Sequence, residues 1–445
     1  MLIFDDADEL SQVEEFLSTG GKGHLLLTTR AHTLGTLAYG IEVEQMTSQE
    51  GMLLLLRRAK VLAPDALLAQ APAADQAAAE AIVQELDGLP LALDQAGAYI
   101  DETQCSVASY LEQYRARPDR LLQRRGETGM LHPEPVATTW SLSFKRVEIL
   151  NPLAADLLRV CAFLAPDVIP EQLLIDGASE LGKSFRLLVG DFSLLDEAVG
   201  ILSRFSLVKR KRDEATLTVH RLVQVALRSS MDNKTQRKWA QRIVRAVYRA
   251  FTKVDDYHTW PHCQQLLPHT QVCVIWIDQW GFTFPIVGKF LDKVSSYLFQ
   301  HAQYAEAESL INRGIVIEEK AYGPEHPNVA NWLTSLALLY RKQGKYEEAE
   351  RLCRRAISIQ EKALSPEPYV LAASLSGLAT LCWRQSKYEE AEQLYQRAIS
   401  MQEKAFGSED PDLAVSLNNM AHLYLDQGKS EEAEQVIDRA VSRAL

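Results

Sequence analysis

From Leu333 onward the apolar side chains return at helical spacing. Leu333, Leu336, Ala337 and Tyr340 share one face, and past a break at Gly344 so do Ala349, Leu352, Ala356 and Ile357. Two amphipathic helices joined by "QGKY" are predicted, and the pair recurs. "YAEAE" begins at Tyr304, "YEEAE" at Tyr346 and Tyr388, and "SEEAE" at Ser430, each 42 residues after the last. Leu333, Leu375 and Leu417 keep that register, as do Ala337, Ala379 and Ala421. Small residues such as Ala337 and Ala349 allow paired helices to approach closely. "GPEHP" and "SPEP" close successive units with prolines that cannot continue a helix. A helix pair that cannot bury its apolar face alone stacks on its neighbours, so residues 284–445 read as about four units of an α-solenoid.

The N-terminal pattern is different. "LIFDDAD" (Leu2 to Asp8) and "HLLLTTR" (ending at Arg30) are short apolar runs of the kind buried in a parallel sheet. "ELSQVEEFL" between them is an amphipathic helix. "IEVEQMTSQEGMLLLLRRA" reads as a short strand leading to a helix, and "GLPLALDQAGAYI" follows at Gly88 to Ile100. Further on, "LSFKRVEIL", "AADLLRVCAFL" and "LLDEAVGILSRF" read as helices, and "SLVKRKRDEATLTVHRL" as a hairpin with a charged tip. The predicted fold is therefore mostly α, α+β overall. Its parts are a partial α/β sheet (1–45), a helical domain (46–130), helices with a wing (135–232), a helical linker (233–283) and the repeats.

Composition narrows the function classes. The chain has 445 residues and a net charge of −12, which argues against a general binder of nucleic acid or of anionic membranes. The "KRKR" at Lys209 to Arg212 is read as a solvated turn beside Asp213 and Glu214 rather than as a DNA contact. The N-terminus lacks the basic region and long apolar core of a signal peptide, and no apolar run is long enough to span a membrane. Six scattered cysteines fit buried thiols in a reduced, cytoplasmic protein. His258, His262, Cys263, His269 and Cys273 have spacings that would suit zinc, but amphipathic helices with buried thiols account for them as well. Homo-oligomerisation is left open.

The repeat wording, "HP-VA--L--LA-LY--QGKYEEAE", resembles the tetratricopeptide repeats of kinesin light chains. The resemblance implies a groove lined by the first helix of each pair that takes a protein or extended peptide. Positions matching the family's peptide-contacting ones hold Thr334, Ser335, Arg341 and Lys342, then Ser376, Gly377 and Arg384, then Asn418, Asn419 and His422. Only the last unit keeps the family's Asn pair. Arg341, Lys342 and Arg384 would suit an acidic peptide.

The order of the N-terminal elements resembles the STAND signalling NTPases of the NB-ARC group. The resemblance implies ADP or ATP with Mg²⁺ as ligand. It makes Asp5 the Mg²⁺-ligating acid, Asp6 the acid acting on the attacking water, Arg30 the γ-phosphate sensor and Pro90 a neighbour of the adenine. It makes residues 135–232 a winged-helix domain in which His220 touches the β-phosphate of ADP and holds the off state. The family's usual Met and Asp beside that histidine are Val219 and Arg221 here. The family's phosphate loop precedes its strand-end acids, whereas this chain starts inside the later strand. A truncated product or a degenerate remnant, non-catalytic in this form, is therefore expected. The working reading is a bacterial-type signalling adaptor.

One motif pulls the other way. "GASELGKS", Gly177 to Ser184, fits the phosphate-loop pattern letter for letter. An alternative reading makes the chain an active ATPase or GTPase, through this loop or one supplied by a missing N-terminal segment. A phosphate loop must follow a strand and open a helix. The preceding "IPEQLLID" instead begins with a proline suited to a first helical turn, so Gly177 and Gly182 are expected to be turn residues and Lys183 solvated.

Overall fold

The two N-terminal apolar runs pair as parallel strands, β1 (Leu2–Phe4) against β2 (Leu25–Leu27), with Leu2 opposite Leu25 and Phe4 opposite Leu27. The computed structural model describes residues 2–4, 24–29, 39, 41, 45–116, 136–205, 207–211, 213–251, 257–363, 368–406 and 411–441. The chain divides into two units. One comprises Met1–Thr252 with Pro261–Trp280, and the other Lys253–Trp260 with Gly281–Leu445.

In the first unit, helices α1 (Ser48–Arg58), α2 (Ala73–Glu85), α3 (Pro90–Thr103) and α4 (Val107–Ala116) close on one apolar core. Thr47 starts α1 with a capping box: its hydroxyl accepts from the Glu50 N–H, and the Glu50 carboxylate accepts from the Thr47 N–H. Leu55, Leu56, Ile82 and Leu93 are the centre of that core, and Leu222 enters it from a later helix.

Next come α5 (Val136–Leu150), α6 (Pro152–Ala162), β3 (Ile169–Pro170), α7 (Glu171–Asp176), α8 (Ala178–Leu181), α9 (Lys183–Arg186) and α10 (Ser193–Arg204). The hairpin β4 (Lys209–Lys211) and β5 (Thr216–Thr218) joins β3 in an antiparallel sheet of order β3-β5-β4. Helices α11 (Arg221–Ser229) and α12 (Asn233–Ala250) follow. Arg210 of the hairpin forks onto Glu171 through two bonds of 2.6 and 2.7 Å and reaches Asp196 at 2.7 Å, so this cation is used inside the fold.

The segment expected as amphipathic helices leading into the repeats is one helix, α13 (Trp260–Trp280), with Pro268 inside it. From Pro261 on it belongs to the first unit. His269 is completely buried there, its Nδ1 accepting from the Ala165 N–H at 3.2 Å and its Nε2 3.2 Å from the Val168 carbonyl. The Trp276 indole N–H donates to the Phe163 carbonyl at 2.9 Å. The His269 ring is thus already spent on backbone groups, and among the described residues no three His, Cys, Asp or Glu side chains gather as a metal would require.

The second unit holds helix pairs: α14 (Ile286–Gln300) with α15 (Tyr304–Tyr322), α16 (Pro327–Lys342) with α17 (Tyr346–Lys362), α18 (Pro368–Arg384) with α19 (Tyr388–Phe406), and α20 (Pro411–Asp426) with α21 (Ser430–Val441). Each pair turns through one left-handed residue, Ala302, Gly344, Ser386 or Gly428. Glycine accepts that conformation freely, and alanine or serine only with strain. At the first junction Gly314 makes room for a large neighbour: a Cβ there would lie 2.5 Å from the Trp332 indole.

The period is also written in hydrogen bonds. Thr334 Oγ1 meets Ser374 Oγ at 2.6 Å, and one unit later Ser376 Oγ meets Ser416 Oγ at 3.1 Å. Arg355 pairs with Glu319, Arg397 with Glu361 and Arg439 with Glu403. Lys345, Lys387 and Lys429 face Glu308, Glu350 and Glu392 in the same way, at 3.8, 3.7 and 3.4 Å.

Candidate functional site

The first unit brings together two elements that the sequence linked to nucleotide. Asp87 and Gly88 turn the chain into α3 with φ of 54° and 62°. Gly88 is needed there, because a Cβ would stand 2.5 Å from the Met46 carbonyl oxygen, and the Met46 N–H donates to the Gly88 carbonyl at 3.2 Å. Pro90 is the first residue of α3 and is exposed. His220 sits before α11 as its N-cap, and its Nδ1 accepts from the Leu222 N–H at 3.2 Å. An accepting Nδ1 leaves the proton of the neutral ring on Nε2, which points to Asp87 Oδ2 at 3.5 Å. Burial holds the His220 pKa below its ordinary value, with Arg221 adding to this and Asp87 opposing it. The ring is therefore neutral at pH 7. Asp87 also accepts from Gln45 Nε2 at 3.2 Å.

His220 and the turn ending at Pro90 thus form one junction. Sequence reading named both residues but missed Asp87, whose only trace was its place before the glycine of "DGLPL". Asp5, Asp6 and Arg30 lie outside the described residues.

"GASELGKS" does not form a phosphate loop. The strand before it is Ile169–Pro170, separated from it by α7. Pro170 closes that strand and caps α7 rather than occupying its first turn. Gly177 has φ −83° and links two helices, and a Cβ on it would stand 2.7 Å from that of Ala246 on α12. Its role is close helix approach, not a left-handed turn. Gly182, at φ 135°, is the turn residue that was expected. The Ser184 hydroxyl donates to Asp156 at 2.6 Å and is not positioned as a free Mg²⁺ ligand. Lys183 is exposed.

In the second unit the predicted peptide-contacting residues all fall on first helices of the pairs. Thr334, Arg341 and Lys342 are on α16, Arg384 on α18, and Asn418, Asn419 and His422 on α20. Lys342, Arg384, Asn418 and His422 are exposed. Thr334 is half-buried, held by Ser374 and by the Ala330 carbonyl at 2.9 Å, so its hydroxyl serves the contact between units. A polar and aromatic cluster links α18 to α20. The Trp383 indole N–H donates to Asp426 at 2.8 Å, His422 stacks on the Trp383 ring at 6.4 Å, and the Arg384 guanidinium lies 5.5 Å from that ring. Trp383 and Asp426 were not singled out in the sequence, where a tryptophan near a helix end looks like core.

A tetratricopeptide repeat model matches residues 293–362 and 370–445, and the model of a domain of unknown function, DUF7779, matches 145–236. A nucleotide-binding leucine-rich repeat (NLR)-like protein of Hyaloscypha variabilis is 27% identical over 361 residues, which take in 74% of this chain and 34% of that protein. The chain thus spans about a third of the length of the curated relative it matches. Among solved structures, the kinesin light chain-type repeats of Podosopora anserina are 20% identical and cover 45% of this chain and 93% of theirs, at a TM-score of 0.36. A STAND protein of Pyrococcus horikoshii with a tetratricopeptide repeat sensor is 15% identical and covers 99% of this chain and 62% of its own, at a TM-score of 0.33.

The 42-residue units at residues 293–362 and 370–445 match the tetratricopeptide repeat model. Over 74% of its length the chain is similar to an NLR-like protein, and its fold is mostly α. The repeats support a role in protein interaction. Among the described residues no helix is long and apolar enough to cross a membrane.

Proposed function

We propose that this chain is a cytoplasmic signalling adaptor whose repeats take up an acidic protein segment and whose first unit is a nucleotide switch of NB-ARC type, read by His220. The observation that carries the reading is the exposure of Lys342 and Arg384, 42 residues apart on successive first helices, with Asn418 and His422 exposed on the next one. Such helices line the concave side of a repeat stack, where an extended ligand can touch several units at once. Arg341, Lys342 and Arg384 place cations at the ends of two neighbouring first helices, so the favoured ligand is acidic.

Acidic, neutral and basic peptides of equal length, compared by fluorescence polarisation, test the repeat half. Acidic peptides are expected to bind best, and Lys342→Glu with Arg384→Glu to abolish the preference. Equal binding of all three classes would overturn it. For the switch half, a neutral His220 with its proton on Nε2 can donate to a phosphate oxygen beside the Pro90 turn. The expectation is that ADP binds the full chain and that His220→Ala weakens it, as read by calorimetry. A chain indifferent to ADP would reduce the first unit to a scaffold.

A further inference from the structure

The phosphate-loop look-alike leaves one observation unexplained. Its lysine opens onto a cavity of about 400 Å³ lined by Lys183, Arg186, Lys238, Arg242 and Arg245, with Glu180 the one carboxylate. The cations come from α9 and from one stripe of α12. That helix carries Lys234, Arg237, Lys238, Arg242, Arg245 and Arg249 and no acid in its 18 residues. Like charges at i, i+4 repel, and a chain with net charge −12 has carboxylates to spare for neutralising them. Yet among the described residues Lys183, Arg186, Lys238 and Arg242 make no ion pair with a carboxylate, Asp156 acting on Arg242 only at longer range, whereas Glu180 is held by Arg249 at 3.1 Å.

Arg242 is placed with care. Its guanidinium lies 4.7 Å from the Trp239 ring, which holds it by a cation–π contact without cancelling its charge. It also lies against the backbone of Gly182, where a Cβ would come 3.1 Å from Nη1. The glycine of "GKS" therefore clears space for the arginine of α12 instead of wrapping a nucleotide.

We propose that this cavity binds a compact polyphosphate anion, clamped between Lys183 and Arg186 on one side and Lys238, Arg242 and Arg245 on the other. Arginine forks and point-charged lysines are the usual phosphate partners, and a concave site strengthens their field. The same chemistry could come from the tail of a nucleoside triphosphate or from a free or cyclitol-borne polyphosphate. The site shares no residue with the His220 junction.

The test uses the full chain and inorganic tripolyphosphate, titrated calorimetrically at low ionic strength. Binding is expected, weakening as salt rises. Lys183→Gln with Lys238→Gln should lower affinity at least tenfold, while Lys209→Gln with Lys211→Gln on the hairpin, and His220→Ala, should change it less than twofold. Both lysines of the first pair are exposed, and an unchanged melting temperature separates lost binding from lost folding. ATP binding more tightly than tripolyphosphate in the His220→Ala background assigns the nucleotide as source, and equal binding assigns the phosphate chain alone. No binding of tripolyphosphate at millimolar concentration overturns the proposal. So does an equal loss in the hairpin control, or displacement of tripolyphosphate by duplex DNA at lower concentration, which would make the stripe a nucleic-acid face.

Discussion

Two glycines of the repeats show how a single Cβ can take either sign. A Cβ at Gly314 would stand 2.5 Å from the Trp332 indole, whereas a Cβ at Gly377 would make only an ordinary contact of 3.5 Å with Cys353 Sγ. Alanine gains roughly 0.5–1 kcal/mol over glycine within a helix, and overpacking costs about 1–3 kcal/mol. Gly314→Ala should therefore lower the urea midpoint, by about 1–2 kcal/mol in stability, and Gly377→Ala should raise it. His269 provides a second expectation. Burial lowers its pKa to about 4, against the opposing pull of the Val168 carbonyl, and protonating Nδ1 would also cost the bond from the Ala165 N–H. The unfolded chain thus binds the proton first. The stabilisation is complete above about pH 6.5 and is lost as pH falls towards the folded value, up to on the order of 3 kcal/mol. Urea titrations at pH 7.5 and 5 should show a smaller difference for His269→Asn than for the parent chain.

Among elements, the repeat helices were the most legible in the sequence. The apolar face of Leu333, Leu336 and Ala337 is the buried face of α16, because a helix in a stack has one stripe to hide and the spacing records it. Partners across units were not legible. The pairing of Thr334 with Ser374 depends on how two helices cross, and hydroxyls carry no periodic signal of their own. Nor were the short α8 and α9, where four-residue helices leave too few turns for a period to register. At the candidate junction Pro90 and His220 could be named, but Asp87 is their neighbour only through the packing of α11 on the core of α1 to α4. The turns between repeat helices offer a test at this scale. Ser386 holds φ 61° where Gly344 and Gly428 hold 77° and 75°. Ser386→Gly should stabilise the array by about 0.5–1 kcal/mol in thermal or urea unfolding, and Gly428→Ala should do the reverse.

At the scale of the whole molecule, each unit contains its own core. The repeat unit packs Leu375, Leu378, Tyr395, Leu417 and Leu423 in one cluster made wholly of its own residues. Residues 281–445 expressed alone should therefore fold, with a helical circular dichroism spectrum and a cooperative melt, and should keep whatever peptide binding the full chain has. A fragment that stays unfolded would show that the first unit is needed to complete the stack. The exposed Arg–Glu and Lys–Glu rungs along it contribute little each, typically under about 1 kcal/mol and less in salt. Their number matters less than their regularity.

That regularity has a consequence for how such a chain can change length. Arg355, Arg397 and Arg439 are 42 residues apart, and so are their partners Glu319, Glu361 and Glu403. Excision of residues 346–387 would leave Arg397 facing Glu319 and Ser416 facing Thr334, the same chemical pairs across a new seam, while Lys345 keeps Glu308 and Lys429 keeps Glu392. Duplication of that stretch would restore every rung in the same manner. The gene can thus lengthen or shorten the array by unequal recombination between its own copies without first evolving a new interface, and the reach of the ligand surface would change in whole steps.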